Sequence, residues 1–555
     1  MENRRFILIA LIGVILFFIY QTWQKDHALA PVAAVMPQAA PVVGEDAPKP
    51  SATINADATS AQASTANAST RIKVQTDVFN AEIALAGGEL RKVELTEYPA
   101  SKDKPDQKLA LLDDRADHWY VLQSGLATPQ QTLSGPQTLY SSAQTSYRLA
   151  DGAEVLDVPL QYVDASGYSV TKTYRFKRGS YDIELLQDVK NAGSAELSIS
   201  PYVRLWRTPP PPAGRSMMGG TNTFTGIGFY EKKPDSENYR FKKIKFEEVS
   251  KEALQVQQTG GWMAMMEHYF ITAIIPPAGE SNTYSGKPST SQGYLAQVVG
   301  AATPVAAQGE HKFSTQIYVG PLLQKSIAAV APGLELAVDY GILTPIAEPL
   351  FWLLDKFHKL THNWGFAIIL LTLSVKGVMY KLSEAQYRSM AKMKKFAPRI
   401  QELKERYADD RERMSKAMME LYKKEGFNPL AGCWPLLVQF PVFIALYWVL
   451  LESVELRQAP FMLWVNDLSA ADPYFVLPVL FGISMFVQQK LSGQQMPDPM
   501  QQKIMSIMPI IMTAFFAFFP SGLVLYWFVS NLTGIAQQWV ITTRLEKEGL
   551  GRKAA

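Results

Sequence analysis

The stretch NWGFAIILLTLSVKGVMYKL, residues 363–382, sets how the rest of the chain is read. A helix needs about 20 mostly apolar residues to cross a bilayer, and this run supplies them with one charge, Lys376, well inside it. Lys376 stands six residues before Leu382, about 9 Å from that end at a rise of about 1.5 Å per residue. Holding a charge there costs roughly 2.5–3.5 kcal/mol on insertion scales. Two readings stay open. Either the lysine stem snorkels its ammonium to the headgroups, or the ammonium sits in a wet cavity lined by other polar residues. Thr372 and Ser374 share its helix, while Gln439, Ser530, Asn531, Thr533 and Gln537 fall in other apolar segments. One polar residue per helix commonly serves as helix–helix glue; several converging on one lysine would open a groove. No anionic partner stands at similar depth, which favours hydration over a buried ion pair.

Further apolar runs lie on both sides. Leu430–Leu451 and Pro473–Lys490 each suit one span, and Ile504–Val540 is too long for one. Pro520-Ser521-Gly522 interrupts that last block and reads as a tight turn between two spans. At the other end, Phe6–Trp23 follows Arg4 and Arg5. A cleaved signal peptide competes for that segment, with a site at Ala28-x-Ala30. The long charged approach Gln21–His27 favours an uncleaved anchor. Six spans put both termini on one side. Basic residues gather in cytoplasmic loops. They crowd the loop from Arg388 to Lys424 and recur at Arg544, Lys547, Arg552 and Lys553, whereas residues 453–472 hold Arg457 alone. Both termini are therefore expected in the cytoplasm, and the segment between the first two spans outside.

The expected organisation follows: an anchor over residues 1–26, then a flexible Ala/Pro/Ser linker over 27–70 with almost nothing to bury. From 71 to 330 short alternating runs such as SVTKTYRF (169–176), punctuated by Gly87-Gly88 and Arg178-Gly179, predict a β-sandwich on the non-cytoplasmic side. Residues 331–362 alternate apolar positions with Glu348, Asp355 and Lys356, as an interfacial amphipathic helix would. The second span covers 363–382. Residues 383–428 predict an amphipathic cytoplasmic hairpin of two short helices, with Pro398 set to kink the first. Such a basic unit suits anionic lipid headgroups or ribosomal RNA, and the sequence does not choose. Spans three to six fill 429–543, and 544–555 form a basic tail.

Enzyme chemistry finds little footing. The single cysteine, Cys433, excludes an intramolecular disulfide, a Cys-based zinc site and an iron–sulfur cluster. The charge is only +3, 54 basic against 51 acidic residues, so the total gives no case for a polyanion such as DNA. No G-x-S-x-G, P-loop or H-E-x-x-H occurs. His358 and His362 have the spacing of a metal pair but no third ligand, so membrane-surface histidines are the better reading. No cofactor or metal is expected.

The C-terminal third carries specific strings. They are Asn363-Trp-Gly-Phe, Ala385-Gln-Tyr-Arg-Ser-Met-Ala-Lys-Met, Asn428-Pro-Leu-Ala-Gly-Cys-Trp-Pro-Leu-Leu-Val-Gln-Phe-Pro, Ser453-Val-Glu-Leu-Arg-Gln-Ala-Pro-Phe, Asp498-Pro-Met-Gln-Gln-Lys-Ile-Met and Phe519-Pro-Ser-Gly-Leu-Val-Leu-Tyr-Trp. With them the region from Asn363 to Leu550 resembles the YidC/Oxa1/Alb3 membrane protein insertases. The anchor and large β-rich insert resemble the Gram-negative YidC subtype of the bacterial inner membrane. The resemblance implies a polytopic α-helical membrane protein with a five-helix core. It also implies a periplasmic all-β supersandwich domain and a cytoplasmic helical hairpin. The core would enclose a hydrophilic groove open to cytoplasm and lipid.

By the same resemblance Lys376 holds the place of a groove arginine, keeping the charge without the bidentate fork. Thr372 and Gln439 fall on groove polar positions, and Tyr526 and Trp527 on a substrate-contacting aromatic pair in which the family usually has a second Tyr. Implied partners are nascent membrane proteins, the Sec translocon, membrane lipids, and the ribosome and signal recognition particle receptor at the hairpin and tail. The function expected is that of an insertase or chaperone, not an enzyme. A transporter or channel using the Lys376 cavity is a rival, weakened by the lack of an inverted repeat. A periplasmic carbohydrate-binding protein on a helical anchor is the other.

Overall fold

A computed structural model describes residues 70–547 apart from 103, 166, 210–223, 234–235, 339, 408–409, 425–433 and 493–498. The expected anchor, the linker and the last residues of the basic tail lie outside the described residues.

Residues 71–321 form two large sheets. Ten strands of the first run in the order 254–259, 281–288, 294–300, 197–207, 118–127, 104–115, 89–101, 79–84, 71–75 and 146–148, with 132–134 and 303–305 attached at its side. The second orders eight strands as 239–245, 226–232, 262–267, 270–275, 310–321, 182–191, 168–177 and 155–163. All neighbours run antiparallel except 71–75 beside 146–148. The strand Tyr168–Lys177 shows how the alternation works: Val170, Tyr174 and Phe176 are buried while Thr171, Thr173 and Arg175 are only half-buried. A helix α1 (Phe246–Lys251) and a one-turn α2 (Gln324–Ile327) complete the domain.

One strand of this alternation carries a charge into the core. Lys172 is fully buried between the sheets, and its Nζ donates to the carbonyls of Gly87 (2.8 Å) and Ser124 (2.9 Å). Gly87 and Gly88 hold φ of +74° and +56°, and at Gly88 an added Cβ would also press on Lys172 and Tyr140. Beside it, buried Glu89 accepts from Gln123 at 2.7 Å and pairs with Arg91 at 2.5 Å, while Arg204 Nε donates to Gln123 at 2.7 Å. Burial pushes the Lys172 ammonium down to about 7 and raises the Glu89 carboxyl. The carbonyls and amides satisfy most of these groups, which is what makes buried charges tolerable.

The helical region starts with α3 (Thr344–Thr361) and α4 (Trp364–Val378). Asn363 begins α4 with both of its polar atoms engaged. Its Oδ1 accepts from Gly365 N (2.9 Å) and Phe366 N (3.2 Å), and its Nδ2 donates to Phe461 O (2.8 Å). Gly365 is needed because a side chain there would enter the Phe461 ring. The chain then bends by 60° at Met379 into α5 (Tyr380–Arg406), a single 27-residue helix where the sequence suggested a short one. Pro398 lies within it, at a position whose side chain is outside the described ones. α6 (Arg411–Lys424) packs against α5. There follow α7 (Trp434–Glu452), α8 (Val476–Ser492), α9 (Pro499–Phe516) and α10 (Ser521–Lys547). The break expected at Pro520 separates α9 from α10.

Among the described residues no single helix is long and apolar enough to cross a membrane; α4 with the start of α5 passes that test as a bent pair. The region nonetheless presents an apolar exterior. Phe366, Leu373, Ile483, Ile510, Leu532 and Trp539 are among its exposed large apolar side chains.

The two regions are fastened together. Arg457 Nη2 donates to Pro99 O at 2.9 Å, with its guanidinium 5.6 Å from the Phe270 ring. His268 Nε2 lies 3.1 Å from Leu451 O, a carbonyl that only accepts, so Nε2 carries the proton. Burial lowers that imidazole to about 4. Lys325 pairs with Asp355, and half-buried Glu455 lies nearby with its carboxyl raised to about 7 by desolvation.

Candidate functional site

α10 is the hub of the bundle, packing on α4, α5, α7 and α8. Its start is pinned to the 453–475 segment. Ser521 donates through N (2.7 Å) and Oγ (2.8 Å) to Ala470 O, and Gly522 N donates to Leu468 O at 2.8 Å. Asp472, itself buried, accepts from Tyr474 N (3.0 Å) and Leu477 N (2.6 Å) and so starts α8. With Asn363 bonded to Phe461, the same segment ties down the N-terminal ends of α4, α8 and α10. That end of the bundle is closed by short-range hydrogen bonds to backbone, an arrangement that leaves few unpaired groups.

The expected site residues fall into two groups along α10. Near the pinned end, Tyr526 is buried against Phe443, with half-buried Gln439 beside its hydroxyl. Trp527 stands 4.5 Å from the Phe443 ring and about equally close to Phe516 and Phe481, at 5.5 and 6.0 Å. Its Nε1 is buried and has no hydrogen-bond partner among the described residues. A buried indole donor left open is costly.

Eleven residues further on, about 16 Å along the helix axis, Gln537 Nε2 donates to the backbone oxygen of Lys376 at 3.0 Å. Lys376 is half-buried, and no carboxylate lies within ion-pair distance of its ammonium among the described residues. Thr372, one turn earlier, is buried and spends its hydroxyl on Ile368 O at 2.7 Å; Ser374 does the same to Leu370 O. Thr533 turns back to Val529 O. Thus Gln537 reaches Lys376, Gln439 reaches Tyr526, and Thr372, Ser374 and Thr533 serve their own helices.

Other polar contacts of the bundle involve residues that the sequence reading passed over. Asn531 Nδ2 donates to Ser484 Oγ at 3.3 Å, and Tyr387 OH donates to Gly534 O at 3.2 Å, drawing the start of α5 onto α10. Ser484 and Gln488 were visible as polar residues in an otherwise apolar α8, but nothing local to them shows which helix they face. His358, the first of the spaced histidine pair, stacks on Trp364 at 3.9 Å. No cluster of three metal-ligating side chains occurs among the described residues.

A separate cleft of 660 Å³ lies in the β domain, lined by Tyr230, Tyr239, Trp262, Asp182 and Glu184 among others.

Comparison with known proteins covers both regions. The family described as the 60Kd inner membrane protein matches residues 356–548, and the YidC periplasmic domain matches 71–353. The chain is 43% identical over 551 residues to the membrane protein insertase YidC of Methylococcus capsulatus, covering 99% of each. It is equally 43% identical to the membrane protein insertase YidC of Nitrosococcus oceani, over 99% of this chain and 100% of that one. A solved structure of an active YidC insertase is similar at 18% identity and a TM-score of 0.37, covering 84% of this chain and 92% of that one. With such identity sustained from end to end, the chain belongs to the YidC family of membrane protein insertases.

Proposed function

We propose that this chain inserts nascent membrane proteins by lowering the barrier for a short hydrophilic segment, using the polar track between Lys376 and Tyr526. Membership of the family makes it a bacterial inner-membrane protein with a periplasmic β domain. In this reading six spans cross the membrane with both termini in the cytoplasm. The bend at Met379 turns the chain from the second span into the cytoplasmic α5–α6 unit. That unit and the basic tail meet the ribosome and the signal recognition particle receptor, and the Sec translocon is a partner for longer substrates.

The single observation that carries the reading is the asymmetry of the bundle. One end is pinned shut through Asn363, Ser521, Gly522 and Asp472. Toward the other end Lys376 has no carboxylate within ion-pair distance among the described residues, and Gln537 donates to its backbone oxygen. Carrying a polar segment across about 30 Å of hydrocarbon is prohibitive. A groove open only to the cytoplasm shortens the dry path, and Lys376 attracts acidic residues of the segment transiently. Half-buried Trp527, with buried Tyr526 packed beside it, offers an aromatic wall on which an apolar segment slides. Partition of the apolar segment into lipid supplies the free energy. Lys376, Thr372, Gln439, Tyr526 and Trp527 therefore act by solvation and contact, and no covalent bond is made or broken.

The test is reconstitution of the full chain in liposomes and protease protection of a small membrane protein with a short acidic translocated segment. A protected fragment without any translocon is expected. No protection either alone or with the translocon added would overturn the proposal.

A further inference from the structure

The 453–475 segment that closes one end of the bundle spends its polar groups on protein. Arg457 Nη2 and Gln458 Nε2 donate to Pro99 O of the β domain, at 2.9 and 3.4 Å. Asp467 accepts from Gln458 N (3.1 Å), Ser469 N (2.8 Å) and Ser469 Oγ (2.7 Å). Four large apolar or aromatic side chains of the segment are left exposed: Met462, Leu463, Tyr474 and Phe475. Leu463 is 76% exposed and Tyr474 70%.

Two of the four stand where the backbone disfavours them. Leu463 holds φ of +54° and Phe475 φ of +57°, the left-handed region that suits glycine or asparagine. Each belongs to a hydrogen-bonded turn, closed by Val465 N to Met462 O (3.1 Å) and by Phe475 N to Asp472 O (3.2 Å). In water a bulky apolar residue on such a turn carries backbone strain and gains no burial. The surface around both turns is the exterior that membership of the family places in a bilayer. Phe461, next to Met462, packs edge-on at 5.3 Å against exposed Phe366 on the first turn of α4. From Phe475 an exposed stripe runs along α8 through Val479, Ile483, Phe486 and Val487, at the three- and four-residue steps of one helix face. The turns therefore continue the lipid-covered surface past the ends of α4 and α8.

We infer that the two turns, at Met462–Leu463 and Tyr474–Phe475, are a membrane anchor that enters the interfacial layer of the leaflet at the closed end. The occupant is phospholipid, because both turns run on without a break from the lipid-covered faces of α4 and α8 and neither carries a charge at its exposed residues. Among the first acyl carbons Leu463 and Phe475 recover the burial that water denies them. Tyr474 brings the amphipathic ring that suits this layer. The same segment bonds to the starts of α4, α8 and α10, so the turns hold the closed end of the bundle at a set depth. The inference needs only a bilayer around the bundle, and neither the mechanism proposed for Lys376 nor the side of the membrane on which the closed end lies.

Spin labels on the full-length protein in nanodiscs of phosphatidylethanolamine and phosphatidylglycerol measure that depth. With Cys433→Ser removing the single native thiol, one nitroxide is attached at Leu463→Cys, Phe475→Cys, Ile483→Cys or Lys190→Cys in turn. Collision with oxygen and with a water-soluble nickel chelate reports how far each label lies in the bilayer. Labels at 463 and 475 are expected about 5–10 Å inside the headgroup boundary. The label at 483 should lie deeper, and the label at 190, on an exposed strand residue of the β domain, should lie in water. Nickel access at either turn equal to that at 190 would place it in water. Low access to both reagents would place it under protein, a partner or a second copy. Either result would overturn the inference. The double variant Leu463→Asn, Phe475→Asn keeps residues that suit the left-handed backbone while removing the apolar side chains. In it a label at Val479→Cys is expected to shift toward the headgroups, and an unchanged depth would overturn the anchoring role.

Discussion

Replacing Asn363 by alanine removes three hydrogen bonds at once, and the structure assigns each to a partner. Two are cap bonds to Gly365 N and Phe366 N; the third ties α4 to Phe461 O in the segment that closes the bundle. Loss of an N-cap costs about 1 kcal/mol. The part-buried Phe461 carbonyl, left without its donor, adds about 1–2 kcal/mol. The expected destabilisation is therefore about 2–3 kcal/mol. For a helical region of this size it should lower the melting temperature by roughly 5–10 °C, at about 2–4 °C per kcal/mol. Asn363→Ser separates the terms, because its hydroxyl still caps α4 but does not reach Phe461, so it should lose about half as much. The assay is thermal loss of helical circular dichroism of the full chain in detergent. An alanine variant that melts with wild type would show that the closed end holds without its central asparagine, contrary to this prediction.

Three further outcomes follow from the contacts between the two regions. Glu455 has a folded-state pKa raised to about 7 from 4.5, so its contribution to stability is complete below pH 4.5 and is lost as pH rises through 7. Glu455→Gln should therefore be more stable than wild type at pH 8 by up to about 3 kcal/mol, read as melting temperature against pH. His268, lowered to about 4 from 6.5, acts oppositely: its contribution is present above pH 6.5 and is lost as pH falls toward 4. The Glu455→Gln variant should thus reveal a decline below pH 6.5 that Glu455 offsets in wild type, and a flat profile would contradict this. Arg457→Ala removes the charged bond to Pro99 O and the contact with Phe270. It should weaken the fastening by about 1.5–3 kcal/mol and speed limited proteolysis between the regions, whereas unchanged cleavage would count against that contact.

The parts of the fold legible in the sequence were those with a local cause. Pro520-Ser521-Gly522 announced the break between α9 and α10 because proline and glycine punctuate a helix wherever they stand. The period-two pattern of Tyr168–Lys177 announced a strand, since one face must be buried. The bend at Met379 had no such signal: Gly377 is nearby, but the apolar run continues through it. The alternation of 71–330 gave strands without their number, so two sheets of twelve and eight strands emerged only in the fold. Pairs such as Arg457 with Pro99 and His268 with Leu451 are separated by 358 and 183 residues. They depend on the whole topology and leave no trace in composition.

The site was legible by residue type and not by partner. Lys376 stood out because an ammonium in an apolar helix is expensive. That Gln537 would reach it, while Thr372 and Ser374 turn to their own helix, is decided by which faces α4 and α10 present to each other. The buried row of Glu89, Gln123 and Arg204 with Lys172 was invisible for a related reason. Each looks like an ordinary polar strand residue until two sheets close over it.

The proposed function turns on the Lys376 charge acting on the substrate. At about 6 Å and an effective dielectric near 20, attraction between Lys376 and an acidic side chain is about 3 kcal/mol. Hydration of the groove reduces this to about 1–2 kcal/mol. The most direct measurement is the rate of insertion of a short acidic segment into liposomes holding wild type, Lys376→Arg, Lys376→Ala or Lys376→Glu. Arginine should match wild type, alanine should be roughly tenfold slower, and glutamate slower still. Restoring the rate of the glutamate variant with a basic segment would complete the case. Alanine and glutamate variants that insert the acidic segment as fast as wild type would contradict the claim and leave the lysine only snorkelling to the headgroups.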